Sequence, residues 1–214
     1  ELRHYSRHLL LDEVGKVGQE KLKNAKVLLI GAGGLGCPAA LYLGAAGVGH
    51  LGIIDFDTVD VSNLHRQVAF TYDDIDEPKA ETLRKRLLAT NPHIEVTIYN
   101  ERFSIENARK LYDEYDVVVD GCDNFGTRYL SSDASFFTKT PLVFGAIHRF
   151  QGQMTVFAGT EESPCYRCLF PNPPDAGTIP NCAEAGVLGV LPGVVGTIQA
   201  TEAIKIILQK GKTL

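Results

Sequence analysis

The chain has 214 residues, 44% of them hydrophobic and 22% charged, with a formal net charge of −5. That length and apolar content suffice for one domain with a substantial core, and they exclude a globally disordered chain. An acidic balance, with no Lys/Arg run longer than Arg84-Lys85-Arg86, argues against a nucleic-acid polyanion as the main partner.

Residues 1–24 read as a helical arm, with Tyr5, Leu9, Leu10, Val14 and Val17 tracing one face. Short β-rich runs then alternate with helical ones. Strands are predicted at Val27–Ile30, Leu51–Asp55, Glu95–Tyr99, Val117–Asp120, Leu142–Ala146 and Gln153–Phe157. Helices are predicted near Pro38–Ala46, Pro78–Thr90, Ile105–Tyr112 and Thr127–Lys139, with a final one over Val194–Gln209. Such alternation specifies an α/β fold, a mainly parallel sheet with helices on both faces. Only Ile147–Gly152 separates the last two strands, so they are expected to form an antiparallel hairpin. The reading is a single domain: arm 1–24, nucleotide-binding core 25–163, a mobile, proline-rich crossover loop 164–186 and a helical C-terminal region 187–214.

The apolar stretch Val187–Ile198 is interrupted by Pro192 and is too short to span a bilayer, so no membrane partner is expected. Five cysteines is an odd number, and no secretory leader opens the sequence. A reducing cytoplasm is the natural expectation.

The chemistry is concentrated in a few segments. Gly31-Ala-Gly33-Gly34-Leu-Gly36 joins the first strand to a helix, the Rossmann-like arrangement in which glycines make the turn, admit phosphate and let the helix pack closely. Asp55 closes the second strand, where an acidic residue commonly accepts from a ribose hydroxyl; Asp57 is read as structural. Ser62-Asn63-Leu64-His65-Arg66-Gln67 and Lys79 follow. Arg66 and Lys79 are two fixed cations suited to charge on a phosphate under attack; singly, each reads as an ordinary surface cation. Asp123, followed by Asn124, is either a magnesium ligand bridging phosphate oxygens or a helix cap. Cys165-Tyr-Arg-Cys168 is half of a four-ligand zinc site, with a redox pair as the alternative. Cys182 is a loop thiol, either inert or nucleophilic; Cys37 and Cys122 read as packing residues. A nicotinamide-dependent oxidoreductase would use the same glycines and Asp55 but leaves Arg66, Lys79 and Asp123 without work. A non-catalytic binding subunit would not need that set intact.

Taken together, the glycine turn, Asp55, Ser62–Gln67, Pro78-Lys79-Ala80, Asp123-Asn124-Phe125, Cys165–Cys168 and Asn181-Cys182 resemble the MoeB/ThiF (HesA) adenylyltransferases, bacterial relatives of ubiquitin-activating enzymes. The resemblance covers essentially the whole chain. It implies a magnesium-ATP reaction in which the C-terminal glycine carboxylate of a small ubiquitin-like sulfur carrier ending in Gly-Gly attacks the α-phosphate. A separate sulfur donor then converts the acyl-adenylate to a thiocarboxylate for molybdopterin, thiamine or tRNA thiolation. Residue by residue, it assigns Gly31, Gly33 and Gly34 to ATP, Asp55 to the ribose and Asp57 to its surroundings. It assigns Ser62, Asn63, Leu64, His65, Arg66, Gln67 and Lys79 to the phosphates, and Asp123 with Asn124 to the magnesium end. Arg7 matches an arginine donated by the opposite subunit, which implies a homodimer. Cys182 matches a loop cysteine whose role differs between members. Members usually carry a second C-x-x-C beyond the last helix, so a tail after Leu214 is expected to complete the zinc site.

Overall fold

The structure is a computed structural model, and it describes residues 1–175 and 186–214. Six strands form one sheet: β1 (Lys26–Ile30), β2 (His50–Ile54), β3 (Glu95–Tyr99), β4 (Val117–Asp120), β5 (Leu142–His148) and β6 (Gln151–Phe157). Their order is β3-β2-β1-β4-β5-β6, parallel throughout except for the antiparallel β5–β6 pair. β1 and β4 are near-continuous apolar runs because both faces of the central strands are covered.

The period-2 geometry of the strands sorts the core into two layers. Val27, Leu29, Leu51, Ile53, Val117, Val119 and Val143 point to one face. There they meet α2 (Gly15–Asn24), α3 (Gly36–Ala46), α4 (Lys79–Thr90) and a C-terminal helix. Leu28, Ile30, Ile54, Val118, Leu142 and Phe144 point to the other, against α5 (Ile105–Glu114) and α6 (Phe125–Thr138). The one-turn α7 (Tyr166–Leu169) packs behind α6, and α8 (Leu191–Leu208) closes the chain. By length and composition alone α8 could cross a bilayer, but here it lies on α3 and β4–β6 with Gln199 and Glu202 buried.

The fold class expected from the sequence is the one observed, and the differences lie at element ends. The arm is broken: α1 (Ser6–Leu9) and α2 are separated by Leu10–Val14, and Gly15 takes a positive φ of 52°. The single apolar face therefore does not form. Tyr5 is buried and Val14 packs on the core, while Leu10 and Val17 face solvent. The β5–β6 connection is only Arg149-Phe150, tighter than the expected Ile147–Gly152. α8 starts three residues before the expected Val194, with Pro192 in its first turn, where a missing amide costs little. A turn of helix stands within the stretch read as irregular from Pro164, because Tyr166 is drawn into the core.

β4 and β5 pair only at Val118–Val119 with Leu142–Val143 and then diverge. The buried Gln199 of α8 spans the gap, its Nε2 donating to the carbonyls of Asp120 (2.7 Å) and Val143 (3.1 Å). The crevice above β1 and β4, where the strand order reverses, is where such sheets bind ligands.

Candidate active site

Three glycines knit the bottom of that crevice. Gly31 has φ +95°, and a Cβ there would lie 3.0 Å from the Gly121 carbonyl oxygen. A Cβ on Gly36 would fall 1.9 Å from the Gly31 carbonyl oxygen, so no other residue lets α3 start so close to β1. Gly34 packs against Pro192, 3.1 Å from where its Cβ would lie, but Gly33 differs. Gly33 has Gln67 Nε2 as its nearest neighbour at 3.7 Å, which leaves the turn open toward the cleft. α3 begins at N-cap Leu35 without a side-chain cap, and an uncapped helix start attracts anions.

The second strand supplies an acidic brace. Asp55 accepts from the Ala32 amide (2.7 Å) through Oδ2 and from the Asp57 amide (2.8 Å) through Oδ1. Its partial burial pushes the carboxyl pKa upward, opposed by these two amides. Lys79, only 6% exposed, donates from Nζ to Asp57 Oδ2 at 3.0 Å, and its backbone amide bonds the Asp57 carbonyl. Asp57 therefore aims the lysine from within the cleft lining.

In the Ser62–Gln67 segment most side chains build the turn. The Ser62 amide and hydroxyl both donate to Asp60, and the Asn63 carbonyl accepts from the Arg66 and Gln67 amides. Arg66 donates to the Asn63 side-chain oxygen and to the Ser62 carbonyl (3.3 Å), with its stem beside Gly34. Leu64 packs on the core, and the His65 backbone backs onto Gly189. Of this segment, Arg66 and Gln67 line the cleft, while Ser62, Asn63, Leu64 and His65 do not.

Across the crevice, Asp120 is fully buried, with Oδ1 accepting from the Cys122 amide (2.9 Å), and burial raises its pKa. Asp123 is exposed at the cleft and has no hydrogen bond or ion pair among the described residues. Asn124 settles which residue caps α6: its Oδ1 accepts from the Thr127 amide (2.9 Å). Asp123 is thereby free of the capping role.

A cleft of about 280 Å³ thus gathers Gly31, Gly33, Gly34, Asp55, Asp57, Arg66, Gln67, Lys79, Asp123 and Asn124. It also contains residues that sequence reasoning missed: Phe56 with Arg102 stacked 3.9 Å from its ring centre, Phe103, Arg128 and Ile147. No local motif announces these, since they come from four separate segments. Arg7 is exposed and does not line the cleft. Its arm is pinned by Tyr5, whose hydroxyl accepts from Asn91 Nδ2 (2.8 Å) beside Gly47, at the C-terminal ends of α3 and α4. That is the sheet end opposite the cleft.

The thiols of Cys165 and Cys168 lie 3.6 Å apart. Two ligands of one tetrahedral zinc at about 2.3 Å each stand roughly 3.8 Å apart, so the pair fits one edge of such a site. The Cys165 backbone and thiol contacts hold the Cys168 thiol below its usual range. No group of three or more metal-ligating side chains occurs among the described residues. Cys182 lies outside the described residues.

The ThiF family model matches residues 5–214. The chain belongs to the ThiF family. It is 54% identical over its whole length to the sulfur carrier protein adenylyltransferase of Thermus thermophilus, spanning 80% of that protein. It is 50% identical to the SAMP-activating enzyme E1 of Haloferax volcanii, again over its whole length and 78% of the relative. The adenylyltransferase and sulfurtransferase MOCS3 of Culex quinquefasciatus is 49% identical over 97% of the chain, which spans about half (47%) of that larger protein. Among solved structures, E. coli MccB with ATP aligns at TM-score 0.80 and 25% identity, covering 100% of the chain and 65% of MccB. MccB with MccA-N7isoASN aligns at TM-score 0.84 and 23% identity, covering 100% of the chain and 66% of MccB. The oxidoreductase alternative ends with these findings.

Proposed function

We propose that the chain uses ATP to adenylate the C-terminal glycine of a small ubiquitin-like sulfur-carrier protein ending in Gly-Gly. The observation that carries this is the cleft itself: held cations on the glycine-turn side, Lys79 and Arg66, face an uncommitted carboxylate, Asp123, across the crevice. The names and similarity of the relatives support the same reading.

The residues divide the work by position. Asp55, fixed by two amides, retains lone pairs for ribose hydroxyls. The glycine turn, open at Gly33, and the start of α3 accept the phosphates. A carboxylate oxygen of the carrier bonds to the α-phosphorus as the bond to the bridging oxygen breaks and pyrophosphate leaves. Lys79 and Arg66 are anchored before the reaction by Asp57 and Asn63. They can oppose the developing charge without reorganising. Magnesium, when bound, neutralises phosphate charge, and Asp123 is the residue to hold it. Zinc would be held by Cys165 and Cys168 with two donors from elsewhere, and it would brace the chain rather than react.

Arg7 does not line its own cleft, which supports a role across a homodimer, each subunit completing the other's site. Sulfur would come from a separate donor protein, with Cys182 acting, if at all, after adenylation, and a cytoplasmic setting suits the free thiols. The test is ATP–pyrophosphate exchange with a panel of purified carriers ending in Gly-Gly. Exchange with at least one is expected, and none with any member rejects the proposal. Mixing Arg7→Ala with Lys79→Ala subunits should restore exchange that neither variant supports alone; failure to rescue would argue for an action in cis and against one across the interface.

A further inference from the structure

Arg128 lies in the second turn of α6 and lines the cleft near Cys122 and Ile147, yet it is only 9% exposed. Its guanidinium carbon stands 5.3 Å from the Phe125 ring centre and 6.0 Å from that of Phe144. The phenol of Tyr166 interacts with it from behind. Its Nε has no hydrogen-bond partner. Asp120, whose Oδ2 is likewise buried without a hydrogen-bond partner, attracts it through space, but the two make no ion pair within 4 Å among the described residues. A charged guanidinium is therefore held in a largely aromatic wall at the cleft with no salt bridge among the described residues, and that is costly unless an anion completes it.

The other cleft cations are engaged elsewhere. Lys79 is held by Asp57, Arg66 by Asn63 and the Ser62 carbonyl, and Arg102 by the Phe56 ring. The reaction proposed above brings a second anion, a carboxylate, against a triphosphate, and their repulsion must be countered on the carboxylate's side. A planar guanidinium matches a carboxylate with two parallel donors.

We infer that Arg128 receives the terminal carboxylate of the carrier and aims it at the α-phosphorus, an inference that rests on the adenylation reading. Arg128 keeps its proton throughout. One carboxylate oxygen forms the new bond to phosphorus, the bond from phosphorus to the bridging oxygen breaks, and pyrophosphate carries away the electron pair. The other oxygen, now a carbonyl, stays on the arginine. The rival role is an internal brace for Asp120 with no contact to substrate.

The experiment measures binding to the full chain of a carrier that supports exchange, as free acid and as C-terminal amide, beside ATP binding. The wild type should prefer the acid by about 10–100-fold, the scale of one charge-assisted pair. Arg128→Gln should abolish that preference while changing ATP affinity less than about twofold, and Arg128→Lys should keep part of the preference. If Arg128→Gln keeps the preference, or loses ATP and acid binding together, the inference is wrong. Should Arg128→Gln fail to fold, Arg128→Lys decides, and an undiminished preference there overturns the fork. If no carrier supports exchange by the wild type, the adenylation proposal fails first and this inference falls with it.

Discussion

The two ends of the sheet both pack closely on glycine, but only the cleft end also leaves one of its glycines open. At the end where the arm is anchored, the space of the missing side chains is filled by protein. A Cβ on Gly47 would lie 2.6 Å from the Tyr5 ring, and one on Gly49 would lie 1.7 Å from the Lys23 carbonyl oxygen. At the cleft end, Gly33 has nothing nearer than 3.7 Å. The first end is closed by protein; in the glycine turn at the second, Gly31, Gly34 and Gly36 are closed as well, and Gly33 is left open toward the cleft. A glycine's purpose is thus read from what occupies the volume it vacates.

Four substitutions test that contrast, the largest effect first. Asp123→Ala, at the open end, should lower ATP–pyrophosphate exchange by about 10²–10³-fold, the scale of losing one charge-stabilising group, while the melting temperature stays put. A fall in melting temperature matching the lost activity would make Asp123 a structural residue. Gly47→Ala should do the reverse. A positive φ of 87° and the crowding of Tyr5 and Gln19 should cost about 2 kcal/mol in denaturant unfolding, with the KM for ATP unaltered in the folded fraction. Gly33→Ala should leave stability within about 0.5 kcal/mol, since a Cβ meets no protein atom closely, yet raise the KM for ATP by about tenfold. An unchanged KM would mean that phosphate does not approach this turn. Tyr5→Phe should remove only the hydroxyl that accepts from Asn91 and cost about 1 kcal/mol in thermal unfolding, without any kinetic effect.

The same contrast explains what was legible in the sequence. β1 and the glycine turn could be read locally, because a strand buried on both faces must be apolar and a tight turn must be glycine. The lysine of Pro78-Lys79 was visible as a motif, but its salt bridge to Asp57 was not, since Thr58 and Pro78 must first meet in a bridge. Ser62 and Asn63 were visible as a motif, but their bonds to Asp60 and Arg66 were not, since these appear only once the turn has closed. Arg128 could not have been singled out at all. Its significance comes from Phe144 on β5 and Tyr166 on α7, which the fold alone brings to it. The continuous helical face expected in the arm failed for a local reason, the break at Gly15, that a periodicity count passes over.

The short seam between β4 and β5 puts one helix in charge of the sheet's continuity. Backbone pairing joins the two sides at Val118–Val119, and α8 spans the rest, packing on α3 and β4 on one side and on β5 and β6 on the other, with the Gln199 amide bonded to both strands. Displacing α8 would therefore loosen the cleft wall that Ile147 of β5 contributes, so the last helix works as a clasp on the ligand site as well as a cover for the core.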